Sequence, residues 1–285
     1  MSFAGTLKLL LTVSIFLTVF SLALRAHAAD ALYLFREWRQ GLRAMVVMYV
    51  IVPAVALLIA GLFRLKPPVE IALVALAFSP VPPLLPGKQM KAGSSATYVI
   101  SLLVTASLLS LLVTPLGMYW TGRMASHDVY ISPAAILRIE LMSILLPLAL
   151  GFIAGRLLGS SAARISTILG HIASVLLLVC VLALLFVMLP AIGRVIGDGT
   201  IVALAGMIIA GLAAGYWAAG TEPANKAALS LAAATRHPGI AVAIATTALP
   251  QEKLAPAAII LFALLSALIS IPYLRRLNRT SASAA

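Results

Sequence analysis

An arginine and a histidine stand next to each other inside a long apolar run. Residues 226–248 form this run, and Thr235-Arg236-His237-Pro238-Gly239 lies near its middle. If the run spans a membrane, a charge at its centre costs at least about 2.5–3.5 kcal/mol, so Arg236 is a functional-site candidate. Two interpretations of Arg236 carry equal weight: it attracts an anionic substrate, or it binds carbonyls that a broken helix leaves free. His237 either carries a coupling proton or is a hydrogen-bonded core residue.

Prolines interrupt a second apolar run, over residues 69–86. Four of them fall within the seven residues from Pro80 to Pro86, and each removes a backbone donor and clashes with the preceding turn. Pro238 and Gly239 break the run at 226–248 in the same way. Both runs therefore contain backbone groups without helical partners, which at membrane depth must be covered by protein or face a water-filled cavity.

The candidate binding residues come from these two breaks and from a polar stripe on the apolar run at 93–118. They are Ser79, Pro80, Pro82, Pro83, Thr105, Thr235, Arg236, His237, Pro238 and Gly239. The stripe, which includes Thr105, either lines a polar path or forms hydrogen bonds between helices. The sequence has no phosphate loop, zinc-protease motif or nucleophile elbow. We therefore predict no catalytic residue, no metal and no cofactor, and a protein that is not an enzyme.

Composition identifies the medium that these runs occupy. Of the 285 residues, 62% are hydrophobic and only 10% are charged, and the mean hydropathy is +1.12. A soluble domain has about 25% charged residues, so this chain has too few to cover a water-facing surface. The net charge of +12 would suggest nucleic acid as the partner of a soluble protein. Here the basic residues lie in short connections, so we predict a lipid bilayer and no nucleic acid.

Nine apolar runs approach the roughly 20 residues that a membrane-spanning helix needs. They lie at about 7–24, 43–64, 69–86, 93–118, 134–157, 170–191, 200–219, 226–248 and 254–274. The alternation typical of a membrane β-barrel is absent. We predict an all-α polytopic membrane protein with about nine transmembrane helices. The first run, which ends near Ala26-His27-Ala28-Ala29, is either a cleaved signal or a retained helix; its charged flanks favour a retained helix.

The distribution of basic residues predicts the orientation. With the N-terminus outside, twelve lysines and arginines at the run ends lie on the cytoplasmic side and seven on the outer side. Cytoplasmic connections carry the excess of positive charge. We therefore predict a multi-pass protein of the cell membrane (inner or plasma membrane), with its N-terminus outside and its C-terminus in the cytoplasm.

The two broken runs occupy corresponding positions in the two halves of the chain. Pairing runs one to four with runs six to nine matches the third run, at 69–86, to the eighth, at 226–248. The third runs inward and the eighth outward, so the halves are inverted. Broken helices at matching positions are typical of transporters with inverted repeats. The alternative is that both breaks are ordinary proline kinks.

Residues 43–274 resemble the bile acid:sodium symporter family. The resemblance depends on Leu65-Lys66-Pro67-Pro68-Val69-Glu70-Ile71-Ala72 leading into Ser79-Pro80, on Leu111-Leu112-Val113-Thr114-Pro115, and on Thr235-Arg236-His237-Pro238-Gly239. It implies one transporter domain over 1–285 in a nine-helix form, with crossing third and eighth helices. The core domain would comprise 43–64, 69–86, 93–118, 200–219, 226–248 and 254–274, and the panel domain 7–24, 134–157 and 170–191.

The resemblance also indicates where the family binds sodium, and the sequence departs from the family there. The family uses a glutamate, a glutamine and a Ser-Asn pair, where this chain has Ala232, Arg236, Leu85 and Pro86. Their side chains cannot provide the oxygen ligands that sodium needs. We therefore expect a carrier that does not use these sodium sites, with the Arg236 cation in place of bound sodium or with proton coupling.

The sequence thus predicts a secondary transporter that moves a small organic anion by alternating access. The alternative is a non-transporting membrane sensor or scaffold with a carrier-like fold. An intramembrane enzyme is least favoured, because paired catalytic groups are missing. Small-residue faces at Gly151-Gly155-Gly159 and Gly211-Gly215 predict close helix packing first and a homodimer second.

Overall fold

Every regular element in the described part of the chain is helical. The computed structural model describes residues 3–124, 133–248 and 251–282. The α-helices are α1 Phe3–Ala23, α2 Ala28–Ala31, α3 Tyr33–Arg36, α4 Trp38–Val46, α5 Val52–Leu62, α6 Pro67–Phe78, α7 Leu85–Lys91, α8 Ala96–Met124, α9 Pro133–Glu140, α10 Leu146–Leu158, α11 Ala162–Val195, α12 Thr200–Ala218, α13 Pro223–Ala234, α14 Pro238–Ala248 and α15 Ala255–Ala282. Two π-helical segments, π1 Val47–Ile51 and π2 Leu141–Leu145, join α4 to α5 and α9 to α10, and a 3₁₀ turn, Gly159–Ser161, precedes α11.

Seven helical stretches of the described residues are long and apolar enough to cross a membrane. They are Gly5–Ala23, Trp38–Leu62, Ala96–Gly122, Leu137–Val195, Thr200–Ala218, Ala224–Thr247 and Ala255–Leu277. The chain is therefore a polytopic all-α membrane protein, as the composition predicts. The number of stretches is smaller than the number of predicted runs. One stretch has 59 residues and contains Gly159 in the left-handed region, with φ of 51°, and α6 is too short to qualify.

Helix α1 packs into the bundle against α10 and α11. The Ser14 hydroxyl donates to the Ala173 carbonyl at 2.9 Å, and Ser166 donates to the Ser21 carbonyl at 2.6 Å. On α10, a Cβ at Gly151 would lie 2.5 Å from the Ala23 side chain, and one at Gly155 would lie 2.5 Å from the carbonyl oxygen of Leu24, the residue after α1. These two glycines are therefore used for packing within the chain.

A second close contact joins α12 to α13. A Cβ at Gly211 would lie 2.8 Å from the Ala233 carbonyl oxygen, and a Cβ at Gly215 would lie 2.4 Å from the Ser230 Cα. The close helix packing predicted for both small-residue faces is thus confirmed at these four glycines. It is wrong for Gly159, where a Cβ would meet no atom within 4 Å. A homodimer through such faces stays a prediction.

Helices α6 and α13 are unusually short for a membrane bundle. Each has 12 residues and begins with a proline, Pro67 in α6 and Pro223 in α13. Proline suits the first helical position, because its missing N–H has no intrahelical acceptor there. Twelve residues rise about 18 Å, which is little more than half of the hydrocarbon core. Both helices therefore end at membrane depth, where their last carbonyls need partners from elsewhere.

Candidate functional site

The two predicted breaks meet in the structure. Residues 79–84 separate α6 from α7 and form the first break, and residues 235–237 separate α13 from α14 and form the second. The backbone N–H of His237 donates to the Pro80 carbonyl at 2.9 Å. A free donor of one broken helix thus satisfies a free acceptor of the other, as buried backbone groups require.

The first break is buried, and hydroxyl groups satisfy part of the carbonyls at the end of α6. Ser79 adopts an extended conformation, with φ of −78° and ψ of 148°, and its hydroxyl donates to the Leu76 carbonyl at 2.9 Å. The Thr114 hydroxyl of α8 donates to the Phe78 carbonyl at 2.7 Å. Pro80, Pro82 and Pro83 are buried in the same segment. The proline-rich chain is therefore held by side chains that replace the missing helical donors.

We expect Thr114→Val to lower the free energy of unfolding by about 1–2 kcal/mol, because the buried Phe78 carbonyl would lose its donor at nearly constant volume. Thr121→Val is the matched control on the same helix. Its hydroxyl bonds to the carbonyls of Gly117 and Met118, one turn earlier in α8, which the helix already satisfies. Thermal unfolding of both variants in the same detergent measures the difference, and equal melting temperatures would contradict the assignment.

A serine of α15 forms hydrogen bonds with the second break. Thr235 is extended, with φ of −119° and ψ of 119°. The Ser266 hydroxyl donates to the Ala234 carbonyl at 3.0 Å and lies 3.1 Å from the Thr235 hydroxyl. Because the single hydrogen of Ser266 goes to the carbonyl, Thr235 is the donor in the contact between the two hydroxyls. Pro238 is half-buried and Gly239 is exposed at the start of α14.

The Arg236 side chain crosses from the second break to the end of α6. Its Nε donates to the Leu76 carbonyl at 3.0 Å, and its Nη2 donates to the Ala77 carbonyl and to the Met48 carbonyl at 3.1 Å. Arg236 is only 1% exposed. Among the described residues no carboxylate forms an ion pair with it. The partners of this buried cation are therefore backbone carbonyls.

Two features of the backbone explain why a cation is stable there. Leu76 and Ala77 belong to the last turn of α6, where the helix dipole places partial negative charge. Met48 belongs to π1, where the backbone departs from regular α-helical geometry. The guanidinium also lies 5.7 Å from the centroid of the Tyr49 ring, within cation–π range. The interpretation of Arg236 as a residue that binds freed carbonyls is confirmed for its contacts; a role in substrate binding stays a prediction.

One nitrogen in each of the two ionisable side chains has no partner among the described residues. These are Nη1 of Arg236 and Nε2 of His237, and both are buried. The Nδ1 of His237 accepts from the Ile240 N–H at 3.3 Å, which places the hydrogen of a neutral ring on Nε2. Each side chain thus retains a donor for a further group. The coupling-proton role of His237 stays a prediction.

Thr105 lies on α8, beside a residue that Tyr49 contacts. Thr105 is buried, and its hydroxyl has no hydrogen-bond partner among the described residues. The next residue, Ala106, accepts a hydrogen bond from the Tyr49 hydroxyl at 2.6 Å. Tyr49 therefore touches Arg236 with its ring and this turn of α8 with its hydroxyl.

Sequence reasoning missed two members of this buried polar group, Tyr49 and Glu140. Glu140 has 0% exposure, and its Oε1 lies 3.3 Å from the Ser110 hydroxyl oxygen. Arg138 is the basic residue nearest to Glu140 along the sequence. In the structure Arg138 is exposed, and no ion pair between the two occurs in the described chain. The available signal was an acidic residue inside the apolar run at 134–157.

A cavity of about 450 Å³ lies away from the breaks, between α12 and α15. Its lining includes Tyr216, Trp217, Tyr273 and Arg276. None of the predicted site residues lines it. Aromatic and basic side chains of this kind are typical of the membrane–water interface.

The chain thus combines a multi-pass helical membrane fold with two broken helices that satisfy each other's backbone groups. A model of the sodium bile acid symporter family matches residues 12–193, which is more than half of the sequence. The chain belongs to this family and is a membrane transporter of the bile acid symporter type. The matched residues include the first break and end before the second. No curated protein matches the chain.

Proposed function

We propose that this protein is a secondary carrier that moves a small organic anion across the membrane by alternating access. The contact between the two breaks carries the proposal. The hydrogen bond from His237 to Pro80 and the contacts of Arg236 with the end of α6 place a buried cation where the two halves of the chain join. Membership of a transporter family supports the same function.

The arrangement of the helices supports nine spans in two inverted repeats. In this proposal the 59-residue stretch divides at Gly159 into two spans, and α6, the first break and α7 form one broken span. The repeats would pair α6 and α7 with α13 and α14. Both pairs begin with a 12-residue helix that starts at a proline and is followed by an extended residue, as related segments would.

Alternating access needs two bodies that move against each other. We assign α1, α9, α10 and α11 to a panel domain and the other spanning helices to a core domain. The close packing of α1 on α10 and α11, and of α12 on α13, supports this division. The excess of basic residues supports an outer N-terminus and a cytoplasmic C-terminus.

Arg236 takes the place of a bound sodium ion in this proposal. Sodium requires oxygen ligands, and the side chains of Ala232, Leu85 and Pro86 supply none at the family's positions. The Arg236 guanidinium instead binds three carbonyl oxygens of two elements. A covalently attached cation gives the site its positive charge permanently, and Nη1 has a donor left for an anion.

Uptake into proteoliposomes tests the function and the sodium independence together. The purified chain is reconstituted and offered labelled organic acids, from short mono- and dicarboxylates to bile acids, in sodium or in potassium buffer. We expect saturable uptake of at least one acid, at equal rates in the two buffers. Uptake that requires an inward sodium gradient would overturn the sodium-independent part.

The same acids distinguish the carrier from the alternative, a non-transporting sensor. Each is first added to the detergent-purified protein, and the shift in melting temperature is measured. An acid that raises the melting temperature and also enters the liposomes identifies a carrier. Acids that raise the melting temperature without any flux would overturn transport and favour the sensor. Empty liposomes and liposomes with Arg236→Ala protein provide the background.

A further inference from the structure

Glu140 is a buried acid at the contact between the proposed panel and core domains. It is the last residue of α9 and directly precedes π2, and its side chain faces the middle of α8, near Ser107 and Ser110. In the proposed division α9 belongs to the panel and α8 to the core. An acid inside a membrane bundle is costly and is a functional-site hypothesis by default. Short π segments are also frequent at functional sites.

The hydrogen bonds around Glu140 indicate which protonation state occupies this site. The Ser110 hydroxyl has one hydrogen, and it donates this hydrogen to the Ser107 carbonyl at 2.7 Å. The same hydrogen is not available for the Glu140 oxygen at 3.3 Å. A protonated Glu140 resolves the conflict, because its O–H can donate to the Ser110 oxygen. The hydrogen-bond inventory therefore favours a carboxylic acid over a carboxylate.

The second carboxyl oxygen supports the same state. Glu140 Oε2 has no hydrogen-bond partner among the described residues, and neither has the hydroxyl of Ser107. Leaving a neutral carbonyl oxygen unpaired costs far less than leaving an ionised carboxylate unpaired. A carboxylate would need two or three donors directed at it, and Oε2 accepts no hydrogen bond from the described residues.

The charged and titratable groups that face Glu140 are few. From the core side Tyr49 lies within electrostatic range of Glu140, and the Arg236 guanidinium lies 5.7 Å from the centroid of the Tyr49 ring. Helix α1, which packs on π2, carries one charged residue, Lys8, in its first turns. Helix α8 carries Arg123 in its last turn, and Arg138 of α9 is exposed. No described basic residue forms an ion pair with Glu140.

We propose that Glu140 is the proton-binding site of this carrier: it holds a proton in the conformation described and exchanges it when the panel moves away from α8. The inference rests on the proposed function for its transport consequence, but the bound proton itself does not. Parting of α8 and α9 would expose the carboxyl group to water, where the ionised form is solvated. A proton would thus be bound in one arrangement of the two domains and released in the other, which couples it to the anion.

Infrared spectroscopy of the protein in lipid tests the bound proton without any transported substrate. We expect a carbonyl-stretching band of a protonated, buried carboxylic acid at neutral pH, shifted in heavy water and lost in Glu140→Gln. Glu70→Gln is the control, because Glu70 is exposed in the first turn of α6, and it should leave the band unchanged. A wild-type spectrum without the band, or a band that survives in Glu140→Gln, would overturn the assignment.

Sodium is the competing occupant, since the free oxygens of Glu140 and Ser107 are also possible ligands for that ion. Adding sodium chloride instead of choline chloride distinguishes the two. An unchanged band supports the proton site. Loss of the band on addition of sodium, but not of choline, would overturn the proposal in favour of a sodium site.

Transport provides the second readout. With an acid identified by the uptake screen, an imposed pH gradient should drive accumulation by the wild type and by Glu70→Gln. In Glu140→Gln accumulation should fall to the level without a gradient, while exchange of labelled for unlabelled acid persists. Gradient-driven accumulation by Glu140→Gln equal to wild type would overturn the coupling role. If no acid is transported by the wild type, the carrier function fails, and the infrared result alone decides the proton site.

Discussion

Arg236→Ala is expected to abolish uptake and to lower the free energy of unfolding by about 2 kcal/mol or more. The substitution removes the Arg236 donor from the buried carbonyls of Ala77 and Met48. The Leu76 carbonyl keeps two donors, the hydroxyl and the backbone N–H of Ser79. Each unsatisfied carbonyl costs about 1–3 kcal/mol, which gives the value for two. Removal of a buried cation offsets part of this cost, because its desolvation is no longer required. Thermal unfolding in a mild detergent and uptake by the reconstituted variant measure the two effects.

Two further substitutions separate the charge of Arg236 from its hydrogen bonds. Arg236→Lys keeps a cation but presents one compact ammonium group in place of the planar fork. It should regain part of the stability and, if the charge attracts the anion, part of the uptake. Arg236→Gln keeps donors without charge, so it should recover stability more than uptake. A glutamine variant with full uptake would contradict the role of the charge.

An exposed arginine provides the control for these variants. Arg25 bonds to the Ala163 carbonyl and to Thr167 of α11 at the protein surface. Surface interactions of this kind contribute about 0–1 kcal/mol. Arg25→Ala should therefore unfold near the wild-type temperature. If Arg236→Ala were as stable as Arg25→Ala, the buried carbonyl contacts would not support the junction of the two breaks.

The two broken helices could be predicted from the sequence, but their contacts could not. Proline chemistry acts within one turn, so four prolines near position 80 and the Pro238-Gly239 pair are sufficient to place the breaks. Which carbonyls Arg236 reaches depends on how three separate elements pack. The sequence therefore left two interpretations of Arg236 with equal weight, and the structure distinguishes them only for its backbone contacts.

Glu140 illustrates a different limit of prediction from sequence. A residue seven positions into a helix is either near the water or inside the bundle, depending on where the membrane lies and how the helix tilts. Its neighbour Arg138 is two positions away, which places the two side chains on different faces of the helix. The helical periodicity therefore argues against an ion pair between Glu140 and Arg138. The burial of Glu140 depends on the position of α8, which the sequence does not specify.

Membrane helices pack without a hydrophobic driving force between them, since lipid is as apolar as their side chains. The tightest contacts in this chain accordingly use residues without bulk and bonds to backbone groups. Gly215 lies against the backbone of Ser230 and Leu229 on α13, and α13 leads directly into the second break. The position of Arg236 therefore depends on how closely α12 approaches α13.

Gly215→Ala tests this dependence. We expect it to destabilise the protein, whereas the same change in an unobstructed part of a helix should stabilise it. The new Cβ would lie 2.4 Å from the Ser230 Cα and 2.6 Å from its nitrogen, so α13 must move as a whole. We expect a loss of about 3 kcal/mol, at the upper end of the usual cost of overpacking, and a matching loss of uptake. Gly193→Ala on α11 meets no atom within 4 Å and should stabilise the protein by up to about 1 kcal/mol, because alanine favours the helix. Melting temperatures that rise in both variants would show that α12 and α13 are not in close contact.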